Sequence, residues 1–205
     1  MSLISGRCSF RRRPTPIVYS STNPRILRTR PVRGARFDFA FTIYSREHAL
    51  RIREDFETNV PGLYIAGELG GMGLIRNAFE QGRQCIEGIV ARRTAVPEDV
   101  LELLVVGCGP AGLSASLHAL HHGLRFLTLE KEPDIGGAVR SYPRKKIVMT
   151  GSVKVPGYGR LALGEVRKER LVEIWADVVA RTGLRVRTGE TVRRIARDDD
   201  GFFTV

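Results

Sequence analysis

Val105-Val106-Gly107-Cys108-Gly109-Pro110-Ala111-Gly112-Leu113-Ser114-Ala115 is the stretch that decides the fold. Leu101 to Val106, leading into it, reads as a strand buried on both faces. Gly107 allows the tight turn out of that strand, Gly109 lets backbone approach a pyrophosphate, and Gly112 lets the next helix pack closely on the strand. Pro110 and Ala111 open that helix, whose unpaired N–H groups and dipole favour an anion. The helix runs to His122, Gly123 stops it, and Phe126 to Glu130 forms another strand. Glu130 closes this strand where a carboxylate accepts hydrogen bonds from both ribose hydroxyls of an adenosine, and its charge disfavours a 2′-phosphate there. Strand, glycine turn, helix, strand and acidic terminus in this order point to dinucleotide binding. The competing reading, a glycine-tolerant turn in some other α/β protein, leaves the position of Glu130 unexplained.

Upstream lies a second glycine-rich unit. Asn59-Val60-Pro61-Gly62 signals a turn, Leu63-Tyr64-Ile65-Ala66 a short apolar strand, and Gly67 to Gly73 a loop. Ile75, Ala78, Phe79, Gly82, Cys85, Ile86, Ile89 and Val90 then recur at helical spacing, which predicts an amphipathic helix with one face on a sheet. Phe37, Phe39 and Phe41 alternate, as do Leu50 to Arg53, and suggest short strands. A linker over 93–100 separates this unit from the strand at Leu101. Downstream, 131–164 reads as an irregular excursion rich in Gly, Pro and Lys, with a helix opening at Gly164 or Glu165 and closing at Gly183. Leu184 to Arg187, Thr191 to Ile195 and Phe202 to Val205 complete the chain as short strands, the last two joined by an Asp198 to Gly201 turn.

The chain has 205 residues, a net charge of +11, and 42% hydrophobic and 27% charged content, with no apolar run long enough to span a bilayer. Much of the basic excess precedes Asp38, the first acid, in a segment holding Arg11, Arg12, Arg13, Arg25, Arg28, Arg30, Arg33 and Arg36. Residues 1–36 therefore read as a disordered basic segment. An organelle transit peptide shares this composition, as does a plain basic tail; cytoplasmic placement is the default. Nucleic-acid binding through the Arg-rich opening is the third functional reading, and it lacks the aromatic-basic interleaving, zinc spacing or helix-turn-helix pattern that supports such binding elsewhere. Cys8, Cys85 and Cys108 lie far apart, which fits a reducing compartment, implies no metal site, and excludes a Cys-x-x-Cys dithiol. Cys108 reads as a small space-filler. His118, His121 and His122 read as exposed groups complementing a helix C-terminus. Arg144, Lys145 and Lys146 read as a solvated charge run, with a grip on a cofactor phosphate as the alternative, and Tyr142 as a core or surface aromatic.

These motifs resemble the two-dinucleotide-binding-domain flavoproteins, the superfamily of thioredoxin reductase and other pyridine nucleotide-disulfide oxidoreductases. The run from Val105 to Ala115, with Leu129-Glu130-Lys131 and Ile135-Gly136-Gly137, is similar to that family's N-terminal FAD half. Thr58-Asn59-Val60-Pro61-Gly62-Leu63-Tyr64-Ile65-Ala66-Gly67-Glu68 is similar to its C-terminal FAD motif, so the family's end precedes its beginning. The resemblance implies a partial Rossmann-like FAD-binding fold: a parallel sheet, helices on both faces, a small antiparallel element and a disordered basic N-terminus. It implies a C-terminal-type motif over 37–92 and an incomplete N-terminal-type half over 101–205, as in the junction of a tandem protein or a permuted domain.

The implied site comprises Gly107, Gly109, Pro110, Ala111, Gly112, Glu130 and Lys131 for the ADP part, Gly136 and Gly137 near the pyrophosphate, and Gly67 and Glu68 for the ribityl part. Glu68 stands where the family has Asp, and Ser116 where it has Gly or Ala. The implied activity is transfer of electrons from NAD(P)H through FAD to an acceptor, with a second flavoprotein unit or a homodimer supplying the NAD(P)H unit that the sequence lacks. No catalytic residue is named. A module that binds FAD without turnover is the alternative.

Overall fold

The computed structural model describes residues 17–21, 28–29, 36–38, 52–67, 74–93, 98, 100–197 and 203–205. Strands β1 (Ile17–Ser21), β4 (Leu63–Gly67), β5 (Leu103–Val106), β6 (Phe126–Glu130) and β9 (Arg187–Thr188) form one parallel sheet in the order β4-β1-β5-β6-β9. A four-stranded antiparallel sheet joins β11 (Phe203–Thr204), β10 (Arg194–Arg197), β3 (Arg36–Asp38) and β2 (Arg28–Thr29) in that order. Helices α1 (Ile75–Ala91), α2 (Pro110–His121) and α3 (Lys168–Thr182), and the hairpin of β7 (Ile147–Val155) and β8 (Gly159–Arg167), complete the described elements. This is the α/β architecture that the glycine turn and its flanking apolar strands imply.

Alternate side chains of the central strands enter two different cores. Val18, Tyr64, Ala66, Leu103 and Val105 meet Ala78, Cys85, Ile86 and Ile89 of α1 and Ala111, Ala115 and Ala119 of α2. Ile17, Leu63, Leu104 and Val106 meet Ile195 and Phe203 from the antiparallel sheet. A third core joins Leu113 and Leu117 of α2 to Leu171, Trp175 and Val178 of α3 and to Val148 and Val155 of the hairpin. Burial on both faces is why β4 and β5 read as unbroken apolar runs. Among the described residues, no helix is long and apolar enough to cross a membrane.

Three sequence expectations are corrected. Disorder over 1–36 does not hold for Ile17–Ser21, which pairs in parallel with β4 (Ile17 with Leu63, Ser21 with Gly67) and with β5 (Ile17 with Leu104, Tyr19 with Val106). Its three apolar residues are too few for a periodic signal; two flanking strands supply the partners that make it a strand. The excursion over 131–164 contains β7, and β8 carries it on to Arg167, so the helix opens at Lys168 and not at Gly164 or Glu165. Ile52 forms an isolated bridge to Thr58, while Leu50 and Arg51, which begin the expected strand, lie outside the described residues. His118 is buried, whereas an exposed position was expected. Phe39, Phe41 and the Asp198 to Gly201 turn lie outside the described residues.

The two glycine units share one sheet, because β1 lies between β4 and β5. Their connection is fixed at both ends. Arg93, just past α1, forms a two-pronged ion pair with the buried Glu102 (Nε to Oε1 2.8 Å, Nη2 to Oε2 3.1 Å), and the Arg125 amide donates to Glu102 Oε2 at 2.9 Å. Burial raises the Glu102 pKa, but the hydrogen bonds from Arg93 and the Arg125 amide outweigh it and hold the carboxyl below its ordinary value. Arg93 also donates to the carbonyls of His122 and Gly123, so a cation stands at the C-terminal end of α2.

Candidate nucleotide site

The carboxyl edge of a parallel sheet, where strands hand over to helix N-termini, is where such folds bind ligands. Gly107 leaves β5 with φ +91°, a conformation that L side chains rarely adopt, and its amide donates to the Leu129 carbonyl at 2.7 Å. Gly109 is the N-cap of α2, with Pro110 at the first helical position; no side chain caps this end and no acid stands in its first turn. Pro110 lacks an N–H and fits that position by its fixed φ. The first-turn amides and the helix dipole thus face the edge without a competing carboxylate, as anion binding requires.

Glu130 is 3% exposed. Its Oε2 accepts from the Cys108 amide at 2.6 Å and its Oε1 from the Glu132 amide at 3.0 Å. The carboxylate thereby ties the end of β6 to the glycine turn. A carboxylate has about four lone-pair sites, so each oxygen retains capacity for a ribose hydroxyl. The Cys108 carbonyl accepts from the Gly136 amide at 2.9 Å, bringing the loop after β6 onto the turn. There Gly137, at φ +52°, packs so closely that a Cβ would lie 2.9 Å from Gly109 Cα. Gly136, at φ +118°, faces Val172 and Trp175 of α3.

Gly107, Gly109, Pro110, Ala111, Gly112, Glu130, Gly136 and Gly137 therefore form one connected backbone cradle. Lys131 stands apart: its exposed ammonium pairs with Glu132 at 3.3 Å. Gly67 ends β4 two strands from β5, about 10 Å along the edge at ordinary strand spacing. Its amide donates to Gln81 Oε1 of α1 at 2.7 Å. The N-terminus of α1, at Leu74, likewise carries no side-chain cap and no first-turn acid. Glu68 lies outside the described residues.

The roles of three residues around the cradle are not legible in the sequence, which places Gly82 only on the apolar face of its helix. Gln81 holds Gly67; the available signal was a polar residue set between buried positions on one helix face. Gly82 brings α1 against α2, since a Cβ there would lie 2.2 Å from the Ala111 carbonyl oxygen. Thr128, fully buried, shares a 2.8 Å hydrogen bond with Ser116, whose hydroxyl also donates to the Gly112 carbonyl at 2.7 Å. That pair satisfies the hydroxyl at the helix position where the resemblance implies Gly or Ala. Cys108 is fully buried, and burial together with the Glu130 charge pushes its thiol up to about 12. It stays protonated at neutral pH and supplies no nucleophile.

The chain is 30% identical over 110 residues to a ferredoxin--NADP reductase of Limosilactobacillus reuteri, covering 53% of this chain and 30% of that protein. It is 32% identical over 105 residues to the ferredoxin--NADP reductase of Streptococcus sanguinis, covering 51% and 30%. A shorter match, 54% identical over 39 residues, links it to the digeranylgeranylglycerophospholipid reductase of Picrophilus torridus, covering 19% and 10%. The chain thus spans less than a third of the length of these curated relatives. Residues 104–205, which hold the glycine turn, Glu130 and the Gly136-Gly137 loop, match the pyridine nucleotide-disulphide oxidoreductase family, and the chain resembles FAD- and NAD(P)-binding oxidoreductases at that level.

Proposed function

We propose that the chain binds FAD along the carboxyl edge of the sheet and belongs to an oxidoreductase in which electrons pass from NAD(P)H through the flavin to an acceptor. The observation that carries this reading is the cradle itself: Glu130 bonded to the Cys108 amide, and Gly136-Gly137 closed onto Gly109. In this reading Glu130 takes the adenosine ribose, the first turn of α2 with Ala111 and Gly112 takes the pyrophosphate, and Gly67 with Glu68 meets the ribityl end. Lys131 keeps a peripheral place beside the adenosine. FAD, when bound, supplies the chemistry of hydride acceptance and electron release; the chain orients it and excludes water. The NAD(P)H-binding unit comes from a second flavoprotein unit or another copy of the chain. The shared sheet and the Arg93–Glu102 staple support reading the two motifs as one FAD domain with its parts in permuted order.

The test is a visible absorption spectrum of the purified chain after incubation with FAD and desalting, then after anaerobic addition of NADH or NADPH. Retained flavin bands that bleach with either nicotinamide are the expected result. Retained bands that never bleach, with or without added partner flavoprotein, turn the reading toward a module that binds FAD without turnover. Loss of flavin on desalting rejects the site.

A further inference from the structure

Away from the cradle, Arg144, Lys145, Arg167, Lys168 and Glu169 line a cavity of about 550 Å3. The five come from the loop before β7, the end of β8 and the first turn of α3, and the backbone fixes them relative to one another. The Lys168 amide donates to the Lys146 carbonyl at 2.9 Å, the Lys145 amide to Glu169 Oε1 at 3.0 Å, and Lys168 Nζ to the Arg140 carbonyl at 2.8 Å. Lys145 holds φ +63°, an uncommon conformation for a residue with a side chain. The Glu169 bond retains it.

Four cations thus face one carboxylate, and that carboxylate already serves the Lys145 amide. Neighbouring arginines are neutralised, Arg140 by Asp134 and Arg170 by Glu173, whereas none of the four lining cations forms an ion pair among the described residues. Like charges held together repel, and a bound anion relieves that repulsion. Guanidinium and ammonium groups both donate to a phosphate, which accepts from either.

We propose that this cavity binds the phosphate group of a small phosphorylated ligand, at a site separate from the nucleotide cradle. Gly136 of the cradle meets α3 at Val172 and Trp175, about one helical turn or 6 Å beyond Lys168. The two sites are therefore neighbours along α3.

The full chain is titrated separately with inorganic phosphate, inorganic pyrophosphate and ribose 5-phosphate at fixed ionic strength. One saturable site is expected in the cavity, with affinity falling at least about tenfold in Arg144→Gln/Arg167→Gln and unchanged in Arg170→Gln. Because the N-terminus of α2 also attracts phosphate, acetylation read by mass spectrometry locates the site without any substitution. Pyrophosphate protects Lys145 and Lys168 and leaves Lys131 reactive. Tighter binding of ribose 5-phosphate than of inorganic phosphate identifies a sugar phosphate as the ligand class; the reverse identifies a free phosphate. Unaltered binding in the double variant, or no protection of Lys145 and Lys168, overturns the site, and neither result bears on flavin retention.

Discussion

Gly137 and Gly109 meet backbone to backbone: a Cβ on Gly137 would lie 2.9 Å from Gly109 Cα, and Gly137 holds φ +52°. Gly137→Ala therefore combines two effects. The left-handed conformation costs about 1–2 kcal/mol for a residue with a Cβ, and the contact pushes the loop off the turn proposed to meet the pyrophosphate. FAD affinity is expected to fall at least about tenfold, or ~1.4 kcal/mol. Gly183→Ala is the control, since Gly183 has φ +69° with nothing within 4 Å of the added Cβ. It loses stability through strain alone and keeps its FAD affinity. Equal flavin retention in both variants, read by desalting and absorbance, removes the Gly137 loop from the site.

Glu130 joins the turn to the loop through two amides, and Glu130→Gln tests that role at nearly constant shape. A glutamine offers one acceptor oxygen, so its NH2 group faces the Cys108 or the Glu132 amide and one buried donor loses its partner. The expected cost is about 1–3 kcal/mol in urea unfolding, with weakened binding of ADP as a probe of the adenosine half. Unfolding midpoints that coincide for the two proteins show that the carboxylate does not hold the turn.

Much of this site is readable in the sequence because its chemistry is local. Gly107, Gly109 and Gly112 occupy fixed offsets from a buried strand, and Glu130 ends the next strand. The same holds for Leu63–Gly67 behind its Pro61-Gly62 turn. What stays hidden depends on distant partners. Ile17-Val18-Tyr19 becomes a central strand because β4 and β5 leave a place between them, and no nearby residue announces it. The β7–β8 hairpin is masked by Lys145, Lys146, Lys154 and Arg160, although Pro156-Gly157 marks its turn. His118 carries a polar side chain on a helix that is buried almost all round, so its ring turns back and donates from Nδ1 to the Ser114 carbonyl at 2.8 Å.

Gly82 is the contact on which α1 and α2 approach. A Cβ there would stand 2.2 Å from the Ala111 carbonyl oxygen and 3.0 Å from the Ala115 amide nitrogen, both backbone atoms. Gly82→Ala forces the helices apart and is expected to cost at least about 1–3 kcal/mol, as for overpacking in a core. Because Ala111 belongs to the first turn of α2, the same change is expected to loosen the proposed anion site. Gly88→Ala, on the same helix, meets only the far end of the Arg92 side chain at 3.2 Å. It is expected to leave stability unchanged or raise it by up to ~1 kcal/mol through helix propensity. Thermal unfolding of the two variants side by side gives the answer, and equal midpoints reject the close helix crossing.

Stability also depends on pH through His118. Burial lowers its pKa from the ordinary 6.5; the Ser114 carbonyl and Glu87 oppose the shift, and Arg83 and His122 add to it. The unfolded chain therefore binds a proton more readily than the folded one just below pH 6.5, and stability rises with pH wherever the unfolded state holds more protons. His118 contributes stability that is fully present above pH 6.5 and is lost progressively as pH falls toward the depressed folded value. His118→Gln removes this titration, so its unfolding midpoint in urea is expected to change less than that of the unsubstituted chain between pH 7 and roughly pH 5, the range where an unperturbed His titrates. Parallel pH profiles for the two proteins show that the imidazole titrates alike in the folded and unfolded states.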